Sequence, residues 1–166
     1  MRVLVVAASK HGSTAEIATA LGEALARRGL SATVADAADA GDIEEYEAVV
    51  LGSAVYAGRW QKAARELAER HGDFLVKHPL WLFSSGPVGD PLKPEEDPVD
   101  VAQIMAIVGA REHRVFAGRV DKSRLNLAEK AIVKALKVPE GDWRDFGAVA
   151  AWGNEIADAL LGGGAG

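Results

Sequence analysis

Ser9-Lys10-His11-Gly12-Ser13-Thr14 places hydroxyls, a glycine and two nitrogen bases where an apolar run gives way to a helical pattern. Val3–Ala8 precedes it directly, and Ile17, Leu21 and Leu25 follow at helical spacing. A strand that feeds through such a loop into a helix makes an anion site. Unpaired backbone N–H groups and the positive end of the helix dipole converge there. Ser9, Ser13 and Thr14 add hydroxyl donors, and Gly12 lets the backbone approach without a side chain in the way. The implied chemistry is the cradling of a phosphate. Ser13-Thr14-Ala15-Glu16 also has the spacing of a capping box, which needs no ligand. The segment by itself leaves both readings open.

Two other segments follow apolar runs and are equipped to hold the rest of a ligand. They are Gly52-Ser53-Ala54-Val55-Tyr56-Ala57-Gly58-Arg59-Trp60 and Ser84-Ser85-Gly86-Pro87-Val88-Gly89-Asp90. Each combines glycines with hydroxyls and apolar flanks. Tyr56 and Trp60 are flat surfaces that can stack on a conjugated ring, although Tyr56 also suits an exposed loop, Trp60 better suits core packing at the start of a helix, and Val55 and Val88 equally suit loop packing. Phosphate at one loop and a planar ring between two others describes a mononucleotide, and FMN fits best. The candidate cofactor-binding residues are Ser9, Lys10, His11, Gly12, Ser13 and Thr14, then Ala54, Val55, Tyr56, Ala57 and Gly58, then Ser85, Gly86, Pro87, Val88 and Gly89. No loop acid or histidine has a partner identifiable from spacing, so no catalytic residue is assigned.

The elements that must position these loops alternate along the chain. Apolar runs at Val3–Ala8, Leu30–Ala35, Ala48–Ser53, Leu80–Ser85 and Arg114–Gly118 read as strands. Between them lie helical patterns through Ile17–Leu25, closed by Gly29, and Trp60–Leu67, closed by Gly72. Asp97-Pro98 suits the cap and first turn of a helix through Val101–Val108. Ser123 suits the cap of another, extending to about Lys137 and broken by Pro139. A last helix carries Phe146, Val149, Ile156 and Leu160. The pattern predicts an α/β three-layer sandwich. Its five-stranded parallel sheet, in the order 2-1-3-4-5, has helices on both faces, and ligands bind outside the strand C-termini.

The bulk properties narrow the function classes. At 166 residues, 49% hydrophobic and 26% charged, the chain has a globular composition. A single domain over 1–161 with a flexible Gly-rich tail at 162–166 is expected. The net charge of −5 argues against a dedicated nucleic-acid binder. No apolar run approaches the ~20 residues of a transmembrane helix, and Met1-Arg2 leads into a strand without a signal-peptide pattern, so a cytoplasmic home is expected. There is no cysteine, which excludes disulfides, thiolate catalysis and Cys-ligated metal centres. His11, His71, His78 and His113 lack ligand spacing, so no metal site is expected. A Gly-Lys-Ser/Thr phosphate loop and a second Gly-rich unit for a nicotinamide coenzyme are also missing from the sequence. Lys130, Lys134 and Lys137 share one side of the 123–137 pattern. That suits peripheral contact with the anionic inner face of a membrane, or an ordinary surface helix. Arg59, Arg119 and Arg124 suit the carboxylates of a substrate, or an ordinary surface.

The loop Ser9–Thr14, the segment Gly52–Gly58 and Ser84-Ser85-Gly86 together resemble the phosphate loop and the two ring-binding loops of flavodoxins. More narrowly, the chain is similar to the flavodoxin-domain group related to menaquinone-dependent protoporphyrinogen IX dehydrogenase. That likeness extends through Val115-Phe116-Ala117-Gly118-Arg119-Val120-Asp121, the helix from Ser123 and Trp143–Trp152. The resemblance implies a flavodoxin-like fold, with FMN phosphate on Ser9, His11, Gly12, Ser13 and Thr14. It implies the isoalloxazine ring against Ala54–Gly58 and Ser85–Gly89, with Ala57-Gly58 as the peptide that flips against the reduced ring. The implied function is an FMN-dependent oxidoreductase passing electrons from a reduced organic substrate, such as a porphyrinogen, to a quinone. Two alternatives stand beside it: an electron carrier between protein partners, and a cofactor-free interaction module. The modest acidity and the extra segment Lys122–Lys137 favour the enzyme over the carrier.

Overall fold

Alternate residues of the first strand face opposite cores, and that alternation builds the layers. The computed structural model describes residues 1–10, 12–56, 58–86, 101–120, 123, 125–135, 140–142 and 144–162. Strand β1 (Arg2–Ala8) sends Val3, Val5 and Ala7 into one cluster and Leu4, Val6 and Ala8 into the other. The first cluster is completed by helix α1 (Ser13–Arg27) and helix α6 (Phe146–Leu161), through Ile17, Leu21, Leu25, Val149, Trp152 and Ile156. Helices α2 (Lys62–Arg70), α3 (Gly72–Leu75) and α4 (Val101–Val108) cover the opposite face through Leu67, Leu75, Ile104 and Val108. Both faces of β1 are therefore apolar, as a buried parallel strand requires.

The remaining strands are β2 (Ser31–Asp36), β3 (Ala48–Tyr56), β4 (Arg59–Trp60), β5 (Leu80–Ser85) and β6 (Glu112–Phe116). The sheet runs β2-β1-β3-β5-β6, with every pair along that path parallel. Counted by its parallel strands, this is the order 2-1-3-4-5 expected from the sequence. β4 is an addition: β3 runs past the expected strand end at Ser53 and turns back as an antiparallel hairpin with Val55 opposite Trp60. A separate antiparallel ribbon pairs β7 (Arg119–Val120) with β8 (Gly141–Asp142). Between them lies helix α5 (Leu127–Ala135).

α5 starts later than the expected Ser123 cap. Asn126 Oδ1 accepts from the Glu129 N–H (2.8 Å), while Glu129 Oε1 accepts from the Asn126 N–H (3.1 Å). That reciprocal box fixes the first turn at Leu127 and leaves Ser123 outside the helix. The Asp97-Pro98 start, the Lys137 and Pro139 end, and the tail at 163–166 lie outside the described residues. Among the described residues no helix is long and apolar enough to cross a membrane.

Phe83, Phe116 and Trp152 meet edge to face, with centroids 5.5–6.2 Å apart, and this trio seals the α1/α6 layer under β5 and β6. Gly52 is what admits Phe83, since a Cβ there would stand 2.1 Å from the ring. Gly52→Ala should lower unfolding stability by roughly 1–3 kcal/mol, as overpacking does. Phe83→Leu in the same background should return part of the loss, and urea unfolding of the variants checks both.

Candidate functional site

Strand register brings the three segments to one edge. Ala8 lies opposite Ser53, Ser53 opposite Ser84, and Ser84 opposite Val115. The loop beginning at Ser9, the hairpin beyond Ala54 and the turn beyond Ser85 thus leave neighbouring strands at the same level. The β2-β1-β3 order makes this the topological switch point of the sheet.

At the first segment the chain turns sharply before α1. Ser9 Oγ accepts from the Gly12 N–H at 3.0 Å, and Gly12 stands at φ 86° as the residue before the helix. This left-handed position favours glycine. The helix has no side-chain cap. Glu16, which the capping-box reading directs back to the helix N-terminus, instead pairs with Arg144. Ser13 Oγ is buried and has no hydrogen-bond partner, and Thr14 beside it is 2% exposed. His11 lies outside the described residues.

Long-range ion pairs fix this turn from the C-terminal part of the chain. The Arg144 side chain is 5% exposed and bonds both oxygens of Asp142, through Nε at 2.9 Å and Nη2 at 2.7 Å. Its Nη1 also lies 3.5 Å from the Ser13 carbonyl oxygen. The Arg144 side-chain bond is the largest influence on Asp142 and holds its carboxyl at about 2, against an ordinary value of 3.8. Lys10 bonds the buried Glu129 of α5 at 3.0 Å. Its ammonium is therefore tied to a carboxylate at the edge of the loop.

The ring-side segments differ in part from the sequence expectation. Trp60 is 2% exposed, and its Nε1–H donates to Ser84 Oγ at 2.7 Å. It is a core residue. Ser84 Oγ also shares a 2.7 Å hydrogen bond with His113 Nε2. Ser53 Oγ accepts from the Gln61 N–H at 2.8 Å and donates to the Ala54 carbonyl at 2.8 Å. Both hydroxyls thus serve the scaffold. Ala54 and Val55 are half-buried on β3, Tyr56 ends that strand, and Gly58 takes φ 76° in the tight turn to β4. Ser85 is buried. The Gly86 N–H donates to the Phe116 carbonyl at 3.2 Å. A Cβ on Gly86 would stand 3.2 Å from Val55 Cβ, and one on Gly118 would stand 3.0 Å from Gly86 Cα. The turns after β3, β5 and β6 therefore touch one another through glycine. Ala57, Pro87, Val88 and Gly89 lie outside the described residues.

A protein-family model described as a flavodoxin domain matches residues 4–145. The chain belongs to the flavodoxin domain family. Oxidised flavodoxin 1 from Bacillus cereus superposes with a TM-score of 0.64 at 15% identity, over 95% of this chain and 98% of that one. A mutant of flavodoxin from Pseudomonas aeruginosa gives 0.59 at 19% identity, over 97% and 99%. Rubredoxin oxygen:oxidoreductase from Desulfovibrio gigas gives 0.64 at 14% identity, over 97% of this chain but 36% of that one. Among curated protein sequences none matches.

Family membership indicates FMN as the cofactor, and the residues present in this flavodoxin domain fit its phosphate. A phosphate oxygen would satisfy the partnerless Ser13 hydroxyl, and an uncapped helix start suits an anion. Sequence reasoning missed Glu129, Asp142 and Arg144. Glu129 meets Lys10 and Arg144 meets Glu16 across more than a hundred positions, where no local pattern marks the pair, and Asp142 is drawn in as the near neighbour of Arg144. Asn126-Leu127-Ala128-Glu129 did carry a capping-box signal.

The depressed carboxyl of Asp142 makes the Arg144 clamp acid-sensitive. Because the folded value lies below the unfolded one, its stabilisation is complete above about pH 4–5 and is lost toward pH 2. Asp142→Asn should unfold at a lower temperature than wild type at pH 6, with the two midpoints converging as pH falls to about 2. Thermal melts across that range check it.

Proposed function

We propose that the protein is an FMN-dependent redox protein that holds the phosphate at Ser9–Thr14. The ring lies between Ala54–Gly58 and Ser85–Gly89. FMN supplies the electron chemistry, accepting and returning one or two electrons. The chain's own residues bind and orient it. The observation that carries this reading is the buried, partnerless hydroxyl of Ser13 at an uncapped helix start.

Each part of the scaffold has a physical task in this reading. Arg144 draws Glu16 away from the helix N-terminus, which leaves the first-turn donors to the phosphate. Lys10 is held at the loop edge by Glu129. Contact between Gly86 and Val55 keeps the two ring-side turns together. The trio Trp60, Ser84 and His113 stiffens the strand ends beneath them.

The finer reading is an oxidoreductase that takes electrons from a reduced organic substrate such as a porphyrinogen and passes them to a quinone. The alternative is a carrier working between protein partners. What supports the enzyme is the segment 119–142, which adds a ribbon and a helix and sends Glu129 onto the phosphate loop. Lys130 and Lys134 of α5 are exposed, and Leu127 is 86% exposed. This surface supports a peripheral approach to a membrane, where a quinone resides.

Purified protein mixed with FMN and freed of excess by gel filtration should retain an oxidised-flavin absorption spectrum. Gly12→Asp puts a carboxylate against the phosphate and should abolish retention, while Thr14→Val should weaken it about tenfold or more. Wild-type protein that elutes colourless would overturn the FMN reading and leave a cofactor-free interaction module. Bleaching of the bound flavin by protoporphyrinogen, with recovery on adding a menaquinone analogue, would separate the enzyme from the carrier.

A further inference from the structure

Among the described residues, the cations paired beside the phosphate loop are already engaged by carboxylates. Lys10 is committed to Glu129, and Arg144 to Asp142 and Glu16. Three carboxylates, Glu16, Glu129 and Asp142, therefore stand beside the loop before the ligand arrives. A phosphate monoester adds roughly 1.5 to 2 further negative charges at neutral pH. The helix N-terminus offers only about half a positive charge.

Arg119 is half-buried, and its Nη2 is buried without a hydrogen-bond partner. Its place in the fold is fixed from two sides. The preceding Gly118 lies against Gly86, so Arg119 begins where the ring-side turn ends. Across the ribbon Arg119 pairs with Asp142. Directly opposed residues put their side chains on the same side of a ribbon. Asp142 is clamped by Arg144, which reaches the Ser13 carbonyl. Arg119 therefore stands between the Gly86 turn and the start of α1, where Ser13 Oγ is also a buried donor without a hydrogen-bond partner.

An ionised donor buried without an acceptor is costly to the empty protein. A solvent-facing conformation would relieve that cost. Retention of the buried one fits a group kept for an incoming acceptor.

We propose that Arg119 is a ligand-binding residue, its guanidinium donating to the phosphate of the bound mononucleotide and adding positive charge beside the loop. The proposal rests on the FMN reading above. Arginine suits the role because its planar fork keeps its charge at any working pH and matches phosphate oxygens.

The test compares FMN with riboflavin, which lacks the phosphate, by quenching of flavin fluorescence in wild type, Arg119→Gln and Arg119→Lys. Arg119→Gln should weaken FMN binding roughly 10- to 100-fold. Riboflavin affinity should stay unchanged, and Arg119→Lys should recover part of the loss. The salt dependence of FMN binding should also become shallower in Arg119→Gln. Without ligand, Arg119→Gln should cost the empty protein little, because the buried Nη2 has no hydrogen-bond partner and, among the described residues, the charge is shared only with Asp142. Equal loss of FMN and riboflavin, or no loss of either, would each overturn the proposal. Wild-type protein that binds neither flavin would overturn the FMN reading together with it, whereas FMN binding unaltered in Arg119→Gln would overturn this inference alone.

Discussion

Arg144 joins the end of the chain to its beginning, and the geometry of the site depends on that join. A guanidinium as enclosed as this one is costly unless carboxylates meet it. Asp142 meets it from the neighbouring ribbon and Glu16 from the first turn of α1. The pairing has a consequence beyond stability. Glu16 could otherwise close the helix start upon itself. Glu16 is instead held by Arg144 and its N–H bonds the Gly12 carbonyl, so α1 has no side-chain cap and Ser13 Oγ has no partner. In the proposed reading, this is the place that the FMN phosphate completes.

The fold supplies that place through ordinary packing. Alternation along β1 divides the core between α1 and α6 on one side and α2, α3 and α4 on the other. The parallel register then delivers three strand ends to one level. Glycines decide how closely the turns approach: Gly52 beneath Phe83, and Gly86 between Val55 and Gly118. They set where the polar groups of the loop stand, and the turn at Gly12 sets how those groups point.

Much of this was legible in the sequence because it is local. Apolar runs marked the parallel strands, spacing marked α1 and α6, and their alternation implied the sheet order. The loop Ser9–Thr14 was visible because hydroxyls and glycine interrupt the pattern at a strand end. The hairpin of β3 and β4 was not, since Ala54, Val55 and Tyr56 lie among glycines and read as a loop. Ser53 and Ser84 stand in segments read as holding a ligand, but their hydroxyls serve Gln61 and Trp60. Lys10 to Glu129 and Glu16 to Arg144 cross more than a hundred residues, and only the folded chain brings them together.

A crystal structure of the FMN complex tests the central claim most directly. A phosphate oxygen should lie about 2.5–3.0 Å from Ser13 Oγ, with Glu16 still on Arg144 and the ring between the Val55 and Gly86 turns. A phosphate bound elsewhere, or Glu16 folded back as a helix cap with Ser13 still partnerless, would contradict it.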